Sequence, residues 1–378
     1  MIDRRCTDLL LHSDMIQLVL ISLLFLFSAL KIDACTGIKL IAKDGSIVHG
    51  RTLEFGLPME SSIAVIPRGI QFVGTTPMGA GLSYTVKYAT VGAVLFENMA
   101  VLDGINEKGL AVGTFFFPGF AEYASITDEN QNQALSPSEF PHWIITQFAS
   151  VDEVKEALTN VLIAPTPVRG WGNHPPPFHY IVYDLSGKCL VIEPLNGQLT
   201  TYDNPLGVFT NSPTFDWHLT HLRNFINLSP MNATPLTIDG ISFAPFGQGS
   251  GLVGLPGDFT PPSRFVRAAI FSSTAPPSEG ADQAIFQAFH ILNQFDIPVG
   301  AVRSLDKGNV HFDYTMVTCV RDPKALRYYF KTYQDQSIRL VDLSSFDLDA
   351  KTIKKISTKG IGKIVDISKE LVPASKSP

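Results

Sequence analysis

The chain has 378 residues, 45 % hydrophobic and 17 % charged, with a net charge of −6 and a pI near 5.8. That balance excludes a disordered or fibrous protein. With no basic excess it also excludes a phosphate-backbone partner, so no nucleic acid is expected.

The chain opens on Arg4 and Arg5, then an apolar run from Ile16 to Leu30, then the small residue Ala34. This is the order of a secretory signal peptide over residues 1–34, and the run is short for a membrane span of about 20 residues. Removal after Ala34 would leave Cys35 first, in an exported protein. Short apolar or alternating runs predict strands at Ile38–Ala42, Ser46–Arg51, Ser62–Ile66 and Ala89–Leu95. "VLDGINEKGLAVGTFFF" predicts a hairpin around Asn106–Gly109. A helical stretch follows over Ser136–Val161, with Ser136 or Ser138 as a cap. Ser150 with Glu153 three later is a capping box before a helix at Val154–Val161. "HYIVYDLSGKCLVIEPLNGQLTTYDN" predicts three strands, and "SRFVRAAIFSST" and "ADQAIFQAFHILNQF" have helical spacing. Strands return in "HFDYTMVTCVRD" and "ALRYYFKTYQDQSIRLVDL", and residues 351–378 form a Lys-rich tail or edge extension. Strands, helices, strands, helices, strands in that order predict an α+β or layered sandwich. The organisation is a signal over 1–34, one domain over 35–350 and the extension over 351–378.

Of the four cysteines, Cys6 leaves with the signal. Cys189 and Cys319 sit in strand-like runs as buried small hydrophobes, and a disulfide between them stays open. "GSGLVG" (Gly249–Gly254) matches a dinucleotide fingerprint, but "LPGDFTPP" after it is a poor helix start, so no nucleotide is expected. The histidines are scattered. His218 and His221 beside Asp216 lack a full ligand set, so neither a metal nor another cofactor is expected. Cys35 has two readings. It is a lipidation site, or it is an N-terminal nucleophile whose own α-amine, of pKa about 7.7–8.0, serves as the base.

Four stretches carry a resemblance: "CTGIKLIAKDGSIVHGRTLEFG", "DGINEKGLAVGTFFFPGF", "VFTNSPTFDWH" and "GQGSGLVGLPGDFTPPSRFVR". Together they resemble the choloylglycine hydrolases, which include bile salt hydrolases and penicillin V acylases. These are N-terminal-nucleophile hydrolases of four-layer αββα fold. The resemblance implies Cys35 as nucleophile, Arg51 and Arg264 as the cations near it, and Glu54, where many members have Asp, as the holder of the α-amine. It implies an oxyanion hole of the Asn211 side chain and the Phe116 backbone N–H. Phe115, Phe116 and Phe117 are expected to line an acyl pocket. Asp103 and Asn106 are expected to serve the hairpin turn.

The implied function is an exported amidase acting on a small-molecule N-acyl amide, conjugated bile salts first, and penicillin V or an acyl homoserine lactone as the alternative. A lipidated, non-catalytic binding protein is the remaining reading. The resemblance also implies a homotetramer.

Overall fold

The structure, a computed structural model, describes residues 34–55, 61–95, 99–168, 171, 173–306 and 308–371. The signal segment, residues 1–33 with Cys6, lies outside the described residues. Among those described, no helix is long and apolar enough to cross a membrane.

The chain begins with β1 (Cys35–Ile41), β2 (Ile47–Phe55), β3 (Ser62–Ile66), the hairpin β4 (Gln71–Thr76) and β5 (Gly79–Thr85), β6 (Thr90–Val94), β7 (Val101–Asn106) and β8 (Ala111–Phe116). Next come β9 (Ala134–Leu135), α1 (Phe140–Gln147), α2 (Val151–Ala157), β10 (Leu162–Ile163) and the meander β11 (Phe178–Tyr183), β12 (Cys189–Leu195) and β13 (Gln198–Asp203). Then follow α3 (Phe215–Leu222), the hairpin β14 (Leu236–Ile238) and β15 (Ile241–Phe243), α4 (Pro261–Thr274) and α5 (Ala281–Leu292). The last strands are β16 (Val302–Asp306), β17 (Asn309–Asp322), β18 (Arg327–Thr332), β19 (Arg339–Asp342) and β20 (Lys354–Ser357).

Two antiparallel sheets form the centre. One runs β1-β2-β17-β18-β19, with β16 folded onto β17; the other runs β13-β12-β11-β8-β7-β6-β3-β20. Helices α4 and α5 pack on the first sheet, and α1 packs on the second. The layers are therefore helix, sheet, sheet, helix, an α+β sandwich of four layers.

The central strands have one face on the other sheet and one on helices, which is why β1, β7, β8, β11 and β12 are buried along nearly their whole length. Alternation then sorts the side chains. Val91, Ile105, Phe115, Ile181 and Val191 join the inter-sheet core, while Val112, Phe116, Tyr180 and Ile192 face the layer of α1 and α2.

The predicted helix over Ser136–Val161 is two helices broken at Phe148–Ser150. The N-cap of α1 is Glu139 rather than Ser136 or Ser138. The Ser150–Glu153 capping box is right, with Ser150 Oγ accepting from Glu153 N–H at 3.2 Å and the Glu153 carboxylate accepting from Ala149 N–H at 2.9 Å. The helix starts directly behind its cap, at Val151 rather than Val154, because the residue after an N-cap is already helical. The strand predicted at Ser46–Arg51 continues to Phe55, so Arg51 and Glu54 share β2. None of Cys35, Cys189 and Cys319 is in a disulfide. The "GSGLVG" run is loop with one short 3-10 turn, and Gly251 sits so close to the Met231 carbonyl that a Cβ would lie 1.9 Å from it. Packing of this loop against residues 229–231 accounts for that glycine, and only a short 3-10 turn stands where a dinucleotide site needs a helix.

Candidate active site

β1 lies against β2 with Cys35 opposite Leu53, Thr36 opposite Thr52 and Gly37 opposite Arg51. Alternation puts Cys35 and Arg51 on the inter-sheet face and Thr36 and Glu54 on the face toward α4. Two guanidiniums therefore approach Cys35 from opposite sides of one strand. From the inter-sheet face, Arg51 Nη2 donates to Cys35 Sγ at 2.9 Å. From α4, Arg264 Nη1 donates to the Cys35 carbonyl and to Thr36 Oγ1, the latter at 2.8 Å. Both arginines are fully buried, so neither charge is screened by solvent. A guanidinium does not lose its proton, and one bonded to sulfur favours the thiolate.

Asn211 ties the remaining pieces together. Its Oδ1 accepts from the Cys35 N–H at 2.8 Å and from Arg264 Nη2 at 2.7 Å. Its Nδ2 donates to the Phe116 carbonyl at 2.8 Å. Phe117 N–H donates to Pro177 O on the β11 side, so alternation turns the Phe116 N–H and carbonyl the other way, toward Asn211. The side chain of Asn211 and the main chain of Phe116 thus stand together beside Cys35. Cys35, Arg51, Glu54, Asn211, Arg264 and Phe116, predicted from four separate stretches, converge in one place.

The placements of Asp103, Phe115 and Phe117 differ from expectation. Asp103 is not a turn residue. It lies within β7, buried between the sheets, where Arg51 Nη1 and Arg321 Nη2 each stand 3.5 Å from its Oδ2. Its Oδ1 accepts from Tyr328 Oη at 3.0 Å and Cys319 Sγ at 3.3 Å. Asp103 is the anion that anchors Arg51, and Thr114 O, accepting from Arg51 Nη1 at 2.7 Å, completes the seat. Asn106 does serve the turn: its Oδ1 accepts from the Lys108 and Leu110 N–H groups.

Of the three phenylalanines expected in the pocket, only Phe116 lines it. The apolar wall beside Cys35 is Leu53, Ala93, Leu95, Leu102, Phe116, Trp171 and Phe178. Phe115 points to the opposite face, with Arg51 over its ring at 4.4 Å and Gly37 below, where a Cβ would come within 2.9 Å of the ring. Phe117 stacks on His179 at 4.1 Å. Strand alternation explains this, since consecutive residues of β8 cannot share a wall. Trp171 and Phe178 were missed. Phe178 is the cross-strand neighbour of Phe116, a pairing that only the sheet register reveals, and Trp171 comes from a loop and packs against both rings.

Glu54 is fully buried. Its Oε1 accepts from Thr315 Oγ1 at 3.0 Å, its Oε2 has no hydrogen-bond partner, and its main-chain N–H donates to the Ala34 carbonyl at 2.9 Å. With Ala34 attached, the Cys35 nitrogen is an amide that bonds Asn211, and no α-amine exists for Glu54 to hold. Burial pushes the Glu54 carboxyl up to about 7, against the opposing pull of Arg264, Thr315 and Arg51. A carboxyl raised on folding stabilises the fold below its unfolded value, here 4.5, and that contribution is lost as pH rises through about 7. In protein still carrying Ala34, the urea midpoint of the parent is therefore expected to drop more between pH 5 and pH 8 than that of Glu54→Gln. Equal drops would contradict this assignment.

Residues 35–356 match the family described as linear amide C–N hydrolases, choloylglycine hydrolase family. The chain belongs to the choloylglycine hydrolase family. It is a hydrolase of linear amide C–N bonds, and its sandwich is the N-terminal-nucleophile hydrolase fold. Among choloylglycine hydrolases it is 34 % identical over 323 residues to a bile salt hydrolase/transferase of Clostridium perfringens, covering 85 % of this chain and 95 % of that protein. A penicillin V acylase of Pectobacterium atrosepticum is 27 % identical, covering 79 % of this chain and 78 % of that one. A crystal structure of a conjugated bile acid hydrolase from Clostridium perfringens superimposes with a TM-score of 0.79 at 32 % identity, over 88 % of this chain and 100 % of that one.

Proposed function

We propose that this enzyme is an exported cysteine amidase that cleaves the amide bond of conjugated bile salts, with Cys35 as its N-terminal nucleophile. The observation that carries the reading is the Arg51–Cys35 contact of 2.9 Å beside Asn211, which pairs an activated sulfur with an oxyanion donor. Removal of residues 1–34 by a signal peptidase frees the α-amine of Cys35. The thiol proton passes to that amine and the thiolate attacks the amide carbonyl. The oxyanion of the tetrahedral intermediate is held by Asn211 Nδ2–H and the Phe116 N–H. Collapse transfers the proton from the Cys35 ammonium to the leaving nitrogen and releases the amine, leaving a thioester. Water, deprotonated by the same amine, attacks the thioester and frees the acid and the thiol. Glu54, with one unpartnered carboxylate oxygen in the uncut chain, is the group that receives the new ammonium.

Bile salts are favoured because similar relatives are named for acting on them and because the acyl wall is apolar, with Phe116, Trp171 and Phe178 as flat surfaces for a fused-ring acid. The same wall suits a phenoxyacetyl group, which keeps penicillin V as the second reading. Amine release by Cys35-started protein from glycocholate, taurocholate and penicillin V at equal concentration tests the choice. Faster turnover of both conjugated bile salts is expected, and dominant cleavage of penicillin V would overturn it.

Assembly as a homotetramer belongs to the same reading. The arm of β14 and β15 exposes Leu236, Ile238, Ile241 and Phe243, each more than half accessible, which suits burial against another subunit. Light scattering of the purified enzyme reads the state directly, and a monomer at micromolar concentration would remove this part.

A further inference from the structure

We infer that two buried histidines, His179 and His218, are positioning residues that fix the oxyanion donor Asn211 against Cys35. The inference rests on the assignment of Asn211 to the oxyanion hole.

The segment that delivers Asn211 is irregular chain between β13 and α3, so no sheet ladder holds it. Its three main-chain units are instead pinned one after another. Phe209 exchanges hydrogen bonds with Gly37 of β1, at 2.7 and 3.1 Å. The Thr210 carbonyl accepts from His179 Nε2 at 3.0 Å, and the Asn211 carbonyl accepts from His218 Nε2 at 2.8 Å. Neither ring touches the pocket wall; both are buried. Each ring is clamped by aromatic neighbours: His179 stacks on Phe117 at 4.1 Å and contacts Phe209 at 4.2 Å, and His218 stacks on Phe265 at 4.8 Å. Donor nitrogens on clamped rings fix the peptide planes on both sides of the Asn211 Cα, and so the direction of its side chain.

The tautomers are determined by chemistry. A carbonyl oxygen carries no proton, so Nε2 must be the protonated nitrogen in both rings. His179 Nδ1 then faces Glu193 Oε1 at 3.2 Å, deep in the protein. With the ring neutral, the proton between them is the carboxyl's. Burial favours this neutral pair, pushing Glu193 up to about 8 and His179 well below its ordinary value. Asp216 adds to the rise at Glu193, and the Phe215 N–H, donating to Oε1 at 3.1 Å, opposes it. Glu193 is thus the tautomer lock of His179 and also the anchor of the first residue of α3, the helix that carries His218.

An arm that misaims an oxyanion donor slows the chemical step and leaves ground-state binding alone, and a misplacement of about 1 Å can cost about 100-fold. His218→Phe keeps the stack on Phe265 and loses the donor. It is expected to lower kcat by about 10- to 100-fold with KM within about twofold, while His218→Gln, which returns an N–H donor, recovers most of kcat. His179→Phe is expected to behave as His218→Phe does. If a phenylalanine variant fails to fold, methionine at the same position carries the same test.

The deciding measurement is a double-mutant cycle with Asn211→Ala. Loss of His218 in that background is expected to change kcat less than threefold, because its effect passes through Asn211. Additive losses, or an unchanged kcat in His218→Phe, would overturn the inference while leaving Asn211 in place. An unchanged kcat in Asn211→Ala alone would instead overturn the reading of the oxyanion hole.

Discussion

Cys35→Ala is expected to fold as the parent does and to lose amidase activity by about ten-thousand-fold or more. The fold is indifferent because the change removes one buried sulfur from the first position of a strand, whose pairing runs through main-chain groups. The chemistry is not indifferent, since among the described residues no other thiol reaches the pocket wall. Cys319 is bonded to Asp103 with burial pushing its pKa up to about 12, and burial likewise keeps the Cys189 thiol protonated. Amine release and a thermal melt, measured on the same preparation, check both halves. Turnover within about tenfold of the parent would end the nucleophile assignment. Mass spectrometry of the parent adds a separate check: a chain beginning with unmodified Cys35 is expected, and a diacylglyceryl cysteine would mean a lipid anchor with its base removed.

Asp103→Asn is expected to be the most destabilising single substitution around the site. Asp103 faces two buried guanidiniums, and both it and they are out of reach of water. Removing one partner of such a group leaves an uncompensated buried charge, at a cost of about 3–5 kcal/mol. Asparagine has the right size, but its NH2 group would confront the donors of Arg51 and Arg321 on one side or displace the hydrogen bonds of Tyr328 and Cys319 on the other. Either way the two guanidiniums lose their anion. Activity is expected to fall as well, because Arg51 keeps Thr114 O but loses the anion that holds its fork against Sγ. Urea unfolding at pH 7 gives the stability, and kcat/KM measured below the transition gives the rest. A loss under about 1 kcal/mol would show that the arginines are compensated elsewhere.

Much of this was legible in the sequence, for identifiable reasons. Local signals placed the 101–116 hairpin, the Ser150 cap and the helices of 261–274 and 281–292, because turn chemistry and apolar spacing act over a few residues. Cys35 was legible from the signal boundary as one of two readings, while the other site residues were legible only by resemblance, since Asn211 and Arg264 lie far from it in the chain. What stayed hidden depends on register and face. Asp103 looks like half of an Asp-Gly turn until β7 is seen to run through it. Phe115–Phe117 look like one apolar patch until alternation sends them to two layers. The Phe116–Phe178 pairing needs the β8–β11 ladder. His179 and His218 are ordinary core histidines in one dimension, and only the path of 209–211 gives them a task.

The strand at Lys354–Ser357 has a practical consequence for anyone shortening this chain. Residues 62–66 would otherwise be the edge of a seven-stranded sheet, with their outward N–H and carbonyl groups open to any extended peptide, including another copy of themselves. The four-residue strand works as a hem. It closes that row, and, being short and carrying Lys354 and Lys355, it offers intruders little length and a repelling charge. Trimming the Lys-rich end at residue 350 would leave every residue of the active site in place and still yield a protein that clumps.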